Sequence, residues 1–170
     1  MTEMPTREEL RAFVGPAADY YLAAWEPALT GTGPVTGGNR WAFFFPLFWL
    51  GLRRLTGTAL VITALLVVEL LGEAALTAVG VDLTDWDLLL ACAIGLTIGL
   101  VCTVRGNGWY LELARQEIAD VRSQNLPADE HLAAVASRGG RSVGAMLVVV
   151  AGAIVAMMVT EAVTNVIAGR

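Results

Sequence analysis

The stretch LTGTALVITALLVVELLGEAALTAV, residues 55–79, decides the fold because it is long and apolar on most sides. Its only charged side chains are those of Glu69 and Glu73, and it lacks the polar stripe that recurs every 3.6 residues in a surface helix. A hydrocarbon core of about 30 Å needs about 20 helical residues. Two further runs, residues 86–104 and 142–168, meet the same requirement. The sequence therefore predicts an all-α membrane protein with three transmembrane helices.

The composition of the whole chain agrees with a protein that lies largely in lipid. Hydrophobic residues make up 56% of its 170 residues, whereas soluble domains contain about 45–50%. The 11 basic residues are all arginine, and the formal net charge is -5. An acidic balance without a dense arginine cluster argues against nucleic acid as a partner.

Arginine is distributed unevenly between the predicted spans. Arg53 and Arg54 come directly before the first span, and five more arginines lie in residues 105–141, between the second and third spans. The connection formed by residues 80–85 has two aspartates and no basic residue. Because arginine is retained on the cytoplasmic side of a membrane, we expect a multi-pass protein of the bacterial cytoplasmic (inner) membrane. Its N-terminus and residues 105–141 would be cytoplasmic, and its C-terminus would be outside.

Residues 1–38 are predicted to form a cytoplasmic amphipathic region followed by a glycine-rich linker. Thr6 and Glu9 have the spacing of a capping box, in which each side chain accepts a hydrogen bond from a free amide at the helix start. The Gly-Pro pair at residues 15–16 interrupts the helical pattern, and Pro27 is expected to end it. The predicted apolar face contains Leu10, Phe13, Ala17, Tyr20, Ala24 and Trp25.

Residues 105–141 are predicted to form two cytoplasmic helices. The first extends the second span and ends near Pro127, and the second covers about residues 128–138. His131, the only histidine, is interpreted as a solvated residue of the second helix, because no second ligand lies at metal-binding spacing. The extension carries an apolar stripe at spacings of three and four residues: Leu111, Ala114, Ile118 and Val121.

The most unusual segment is residues 39–54, which contain the aromatic block WAFFFPLFW at residues 41–49. Its apolar part has about 12 residues, or about 18 Å of helix, and is too short to cross a bilayer. Both flanks are basic, so the segment is predicted to lie in the membrane interface or to enter the membrane and return. One interpretation is an interfacial foot that orients the first span. The other is a lipid- or partner-binding surface, made of Arg40, Trp41, Phe43, Phe44, Phe45, Phe48, Trp49, Arg53 and Arg54.

Three carboxylates lie within the predicted spans. Glu69 and Glu73 share one face of the first span, and Glu161 lies in the third. Carboxylates are costly in hydrocarbon and are candidate functional groups. One interpretation is that these side chains reach water at the outer headgroups. The alternative is a single ion or proton site, with Asn165 nearby, which requires the first and third spans to pack together.

Small residues recur at every fourth position, or at multiples of four, in two of the spans. Such rows let helix backbones approach closely in lipid, and they predict packing either within the bundle or with another subunit. The rows are Ala91, Gly95 and Gly99 in the second span, and Gly144 and Gly152 in the third.

No constellation of residues predicts an enzyme. The serines lie in no G-x-S-x-G elbow, and the glycine-rich linker has no Lys-Ser/Thr pair to make a phosphate-binding loop. We therefore expect no catalytic residue, no metal and no cofactor.

Several motifs resemble those of a known family. They are FVGPAADYYL at residues 13–22, NRWAFFFPLFWL at residues 39–50 with the pair Arg53-Arg54, GNGWYL at residues 106–111 and RGGRS at residues 138–142. Together they resemble the bacterial domain of unknown function 2628 family. The departures are Arg40 inside the motif at residues 39–50 and Arg54 where the family usually has lysine, and both keep the positive charge. The resemblance implies a small inner-membrane protein with an amphipathic N-terminal region, and it supplies no catalytic residue.

These observations favour a non-enzymatic integral membrane protein that serves as an accessory or scaffold subunit, or as a lipid-interacting subunit, of a larger membrane assembly. The expected partners are membrane lipids and either other membrane-protein subunits or further copies of the chain. The alternative is a small oligomeric transporter or ion/proton-coupled carrier that uses the intramembrane glutamates.

Overall fold

The computed structural model describes residues 4–83 and 85–167, and this part of the chain is helical without strands. Three of its helices are long and apolar enough to cross a membrane, which confirms the all-α, three-span prediction. The predicted end of the third span at Ala168 and the terminal Arg170 lie outside the described residues. The helices are α1 Arg7–Val14, α2 Ala18–Leu29, α3 Arg40–Phe44, α4 Pro46–Leu52, α5 Thr56–Ala78, α6 Asp87–Ser123, α7 Ala128–Arg138 and α8 Val143–Ile167, with a 3₁₀ turn at Gly15–Ala17.

One part of the molecule, here called the helical body, consists of α1, α2, α7 and residues 105–123 of α6. Its core is aromatic: the ring of Tyr110 lies 4.9 Å from that of Tyr21, 5.7 Å from that of Trp25 and 5.6 Å from that of Phe13. The indole Nε1 of Trp25 donates a hydrogen bond of 2.8 Å to the carbonyl oxygen of Asn107. The predicted stripe on α6 is confirmed, because all of its members are buried: Leu111, Ala114, Ile118 and Val121.

The N-terminal helices follow the sequence pattern in part. The capping box of Thr6 and Glu9 is confirmed. The expected apolar face is wrong at Tyr20, which is exposed, whereas Tyr21 is buried. The reason is the 3₁₀ turn, which has 3.0 residues per turn instead of 3.6 and so shifts the phase of the next helix. The expected end at Pro27 is also wrong, because α2 continues to Leu29.

An ionic cluster joins α1, α6 and α7. The carboxylate of Glu9 accepts hydrogen bonds of 2.6 and 2.8 Å from Arg122 and lies 2.9 Å from Nε2 of His131. Burial raises the pKa of Glu9, but the hydrogen bonds from Arg122, Thr6 and His131 outweigh it and lower the pKa from 4.5 to about 2. The interpretation of His131 as a solvated residue is therefore wrong. The partner that holds it lies 122 positions away in the chain.

The membrane part is arranged unevenly. Helices α5 and α8 pack along each other, whereas α6 packs mainly against α3 and α4. The residues that α5 and α8 bury include Ala59 and Ile62 on one helix, and Ala153 and Thr160 on the other. The aromatic segment, residues 39–54, is thus the element that connects α6 to the α5–α8 pair.

Close approach to this segment depends on two glycines. A Cβ atom at Gly99 of α6 would lie 2.7 Å from the carbonyl oxygen of Phe43, and one at Gly51 of α4 would lie 2.6 Å from the Cα of Met146 in α8. Neither contact leaves room for a side chain. The backbone of Asn39 also donates a hydrogen bond of 3.4 Å to the carbonyl oxygen of Thr103. The aromatic segment is therefore held at both of its ends.

The predicted rows of small residues are not a general packing surface within this chain. In the row of the second span, Gly99 packs closely, but a Cβ at Gly95 would meet no atom within 4 Å, and Ala91 is exposed. Gly144 and Gly152 of α8 are likewise open. Packing within the bundle is therefore wrong at these four positions. The span of α6 packs against the aromatic segment rather than against α5 or α8, and α8 packs with a different face, which includes Ala153 and Thr160. Contact with another subunit stays a prediction.

Candidate functional site

A cavity of about 680 Å³ lies between α2 and the aromatic segment, close to the residues that precede α5 and α8. Three arginines and a wall of aromatic rings line it. The lining residues are Ala17, Tyr20, Tyr21, Gly38, Asn39, Arg40, Trp41, Phe45, Phe48, Trp49, Leu52, Arg53 and Arg141. We call this cavity the arginine pocket.

Asn39 fixes one edge of the arginine pocket. Its Oδ1 caps α3 by accepting hydrogen bonds from the amides of Trp41 and Ala42, at 3.1 and 3.3 Å, which are otherwise unpaired at a helix start. Its Nδ2 donates to the hydroxyl of Tyr21 at 3.4 Å. One buried side chain therefore sets the position of α3 relative to α2.

A second chain of hydrogen bonds holds the neighbouring residue, Gly38. Asn107 of α6 is buried, and its Nδ2 donates to the hydroxyl of Tyr20 at 3.2 Å. That hydroxyl donates in turn to the carbonyl oxygen of Gly38 at 3.2 Å.

Arg141 reaches the pocket because the amide of Ser142 donates to the carbonyl oxygen of Leu52 at 3.0 Å, which joins the start of α8 to the end of α4.

Arg53 is the most unusual residue of the site, because its side chain is charged and the residue is only 6% exposed. Its guanidinium carbon lies 4.7 Å from the ring centre of Tyr21 and 5.0 Å from that of Tyr110. Its Nη1 donates to the hydroxyl of Tyr110 at 3.5 Å. Burial raises the pKa of the Tyr21 hydroxyl, and the opposing effect of the Arg53 charge is smaller. Tyr21 is therefore neutral at physiological pH. The positive charge of Arg53 is therefore held by neutral groups.

The ion pairs of the molecule divide its arginines into two sets. In the helical body, carboxylates lie within 4.0 Å of Arg7, Arg11, Arg115, Arg122 and Arg138. Among the described residues, the others have no carboxylate partner: Arg40, Arg53, Arg54, Arg105 and Arg141. Three of those line the arginine pocket, and its described lining contains no aspartate or glutamate. The pocket is thus a concentration of positive charge that the described chain leaves unneutralised.

The structure divides the predicted lipid- or partner-binding surface. Trp41 is 71% exposed, and Phe44, Phe45 and Phe48 are also exposed. Their rings form contacts, with centroids 6.3 Å apart both for Trp41 and Phe45 and for Phe45 and Phe48. Arg40 and Arg54 are exposed as well.

The placement of two other members on an exposed surface is wrong. Trp49 is buried because its ring lies over Gly106, where a Cβ would be 3.0 Å away. Arg53 is buried between its tyrosines. Phe43 is half-buried against Gly99. The segment is therefore an exposed aromatic surface on a buried base, and both faces border the arginine pocket.

Sequence reasoning missed Tyr20, Tyr21 and Arg141 as site residues. Tyr20 and Tyr21 follow the 3₁₀ turn, so no periodicity in the sequence reveals that both of them line the pocket. Arg141 has the same kind of signal as Arg53, a cation directly before a predicted span. Asn39 could have been recognised as a helix cap from its place before the aromatic block.

The intramembrane glutamates lie on the two spans that pack together. Glu69 and Glu73 of α5 are half-buried, and Glu161 and Asn165 of α8 are exposed. The required packing of α5 on α8 is present. A convergent ion site stays a prediction. Among the described residues, no group of three or more His, Cys, Asp or Glu is placed to hold a metal ion.

The fold and these sites define a multi-pass, all-α membrane protein. No family model matches the chain, and neither the curated proteins nor the solved structures contain a match to it. The resemblance to the domain of unknown function 2628 family therefore stays a prediction.

Proposed function

We propose that this chain is a non-enzymatic integral membrane protein whose aromatic segment binds lipid at the cytoplasmic face of the inner membrane. The observation that carries the proposal is the run of exposed ring contacts from Trp41 through Phe45 to Phe48. Exposed aromatic rings are costly in water, and tryptophan prefers the headgroup level of a bilayer.

The position of the segment along α6 supports this assignment. Phe43 contacts α6 at Gly99, six residues before Arg105, which is about 9 Å along a helix. Arg105 begins the charged half of α6, so the rings lie at the depth where hydrocarbon gives way to headgroups. A segment of that depth, with arginines on both flanks, contacts both the acyl chains and the phosphates.

An accessory or scaffold role follows from what the spans leave uncovered. The upper half of α6, residues 88–104, exposes large apolar side chains such as Leu88, Leu96 and Leu100, and α8 exposes Val148 and Val159. In the membrane these surfaces contact lipid, other subunits or another copy of the chain. The helical body would then lie on the cytoplasmic side with its own hydrophobic core.

Quenching of tryptophan fluorescence by brominated lipids tests the proposal. The measurement uses full-length protein in proteoliposomes, in a Trp86→Phe background that removes the other strongly exposed tryptophan. We expect that Trp41→Phe removes most of the quenching by lipids brominated near the glycerol backbone. Trp25→Phe, the matched control at a buried position of the helical body outside the arginine pocket, should leave it largely unchanged. Equal quenching with and without Trp41 would refute lipid contact by the aromatic segment.

The packing of α5 along α8 favours a second candidate, an ion- or proton-coupled carrier that acts as an oligomer. Such a carrier would use Glu69, Glu73 and Glu161, since ionisable groups in spans often mark transport paths. Ion or proton flux into proteoliposomes tests it. Flux that disappears in the Glu69→Gln/Glu161→Gln variant would favour the carrier, and unchanged flux would count against it.

A further inference from the structure

We infer that the arginine pocket binds the phosphate headgroup of an anionic phospholipid. The inference rests on the proposed function, because the pocket opens beside the aromatic segment that would lie among lipids. Its three arginines come from two distant parts of the chain, Arg40 and Arg53 from the aromatic segment and Arg141 from the connection just before α8.

The first argument is the charge of Arg53. A buried charge is costly unless it is paired and hydrogen-bonded, and the described chain offers Arg53 two tyrosine rings and one hydroxyl but no carboxylate. Cation–π contacts offset part of this cost. Arg53 lines the arginine pocket, where an anion could accept from its remaining donors in the bidentate geometry that arginine and phosphate favour. The missing counter-ion is therefore expected to be a ligand.

The second argument concerns which phospholipids fit. Phosphatidylcholine and phosphatidylethanolamine carry a cation beside the phosphate, and that cation needs a carboxylate or an uncharged aromatic cage. The described pocket lining has no carboxylate, and its rings stand beside Arg40, Arg53 and Arg141. A second positive charge from the headgroup would be repelled. A headgroup with net negative charge, such as that of phosphatidylglycerol, avoids this repulsion.

The third argument separates a lipid from a free phosphate ion. The cavity of about 680 Å³ is far larger than one phosphate needs, and it lies in the range of about 300–1,000 Å³ typical of sites for larger ligands. Trp41, Phe45 and Phe48 form one wall and continue onto the exposed surface. This wall gives the glycerol and the first part of the acyl chains an apolar path out of the pocket.

Native mass spectrometry of the full-length protein, in non-ionic detergent with equimolar phosphatidylglycerol and phosphatidylcholine, tests the inference. We expect the wild type to retain phosphatidylglycerol about tenfold more than phosphatidylcholine, as several charge-assisted hydrogen bonds allow. Arg40→Gln/Arg141→Gln removes two exposed pocket arginines and should abolish most of this preference. Arg7→Gln/Arg105→Gln removes the same charge away from the pocket and should keep it. All variants should show wild-type helicity by circular dichroism.

Three results would overturn the inference. The first is a wild type that retains both lipids equally, and the second is a preference that survives in Arg40→Gln/Arg141→Gln. The third is displacement of the retained lipid by millimolar inorganic phosphate, which would assign the pocket to a soluble anion. The fluorescence test with Trp41→Phe is independent of the pocket arginines. Quenching at Trp41 without lipid selectivity would therefore refute the pocket ligand while leaving lipid contact by the aromatic segment intact.

Discussion

The two halves of α6 form one uninterrupted helix, yet a leucine of one half is buried and a leucine of the other half is exposed. In residues 105–123, within the helical body, Leu111 is 2% exposed and contributes to a core with Tyr110 and Ile118. In residues 88–104, Leu100 is 59% exposed. The same residue type on the same helix is thus interior in one half and surface in the other.

The difference teaches that the solvent, and not the side chain alone, decides where apolar residues lie. In water, removing a leucine from solvent stabilises a fold by about 1.5–3 kcal/mol, so the body half turns its leucines inward. In lipid, the tails are as apolar as leucine, and helices associate through close packing and hydrogen bonds. The upper half of α6 gains little by burying its leucines, and it meets the aromatic segment at Gly99, where close packing is possible.

The largest expected effect comes from truncating one leucine in each half. Leu111→Ala leaves a cavity in the body core and should cost about 3 kcal/mol. Leu100→Ala removes the same atoms from an exposed position and should cost less than about 1 kcal/mol. At this chain length the first corresponds to a fall in Tm of about 10 °C, measured by circular dichroism in detergent. Equal losses from the two variants would show that the halves of α6 do not differ in burial.

The next effect separates close packing from simple helix propensity in the upper half. Gly99→Ala places a Cβ 2.7 Å from the backbone oxygen of Phe43, and this overpacking should cost about 2 kcal/mol. Gly95→Ala, one turn away, meets no atom within 4 Å and should be neutral or slightly stabilising, because alanine favours a helix over glycine. Thermal unfolding of the two variants measures the difference. A Gly99→Ala protein as stable as Gly95→Ala would contradict the contact.

The sequence could predict the features that depend on composition and regular spacing. The three spans follow from length and hydropathy, and the stripe from Leu111 to Val121 follows from the helical period of α6. The capping box of Thr6 and Glu9 follows from local spacing. Each of these features is set within one helix or one turn.

The candidate site could be predicted only in part because its contacts are non-local. Arg53 and Tyr110 are 57 positions apart, and nothing in the sequence of the aromatic segment indicates that Arg53 is buried while Trp41 is exposed. The phase of Tyr20 and Tyr21 depends on a 3₁₀ turn that the Gly-Pro pair permits but does not specify. The arginine pocket forms because the end of α4 contacts the start of α8.

A smaller effect tests the ionic cluster of the body. Glu9 has a pKa of about 2 in the folded protein and about 4.5 in the unfolded chain. Its ionised form therefore stabilises the fold above pH 4.5, and this contribution is lost as the pH falls through 2. Glu9→Gln should cost about 1–2 kcal/mol at pH 7 and should flatten the dependence of stability on pH between 4.5 and 2.

Glu117→Gln is the matched control for Glu9. Glu117 lies 2.9 Å from Arg138, with side chains that are 31% and 43% exposed, and ion pairs near the surface contribute about 0–1 kcal/mol. Denaturation at several pH values should therefore leave Glu117→Gln close to the wild type. If the Glu9→Gln protein had the same pH dependence as the wild type, the cluster would not stabilise the body.

The smallest effect is a difference in chemical reactivity between two cysteines, one in each environment along α6. Cys92 is exposed near the start of α6, and Cys102 is fully buried beside the aromatic segment. N-ethylmaleimide partitions into detergent and should therefore modify Cys92, which faces the detergent, faster than the buried Cys102, which should react only after unfolding. Cys92→Ala and Cys102→Ala assign each reaction by mass spectrometry. In the Gly99→Ala protein, displacement of Phe43 should make Cys102 reactive in the folded state, while Cys92 should react as before. Cys102 that reacts at once in the wild type would mean that the aromatic segment does not cover α6, and the division of this helix into two halves would lose its structural cause.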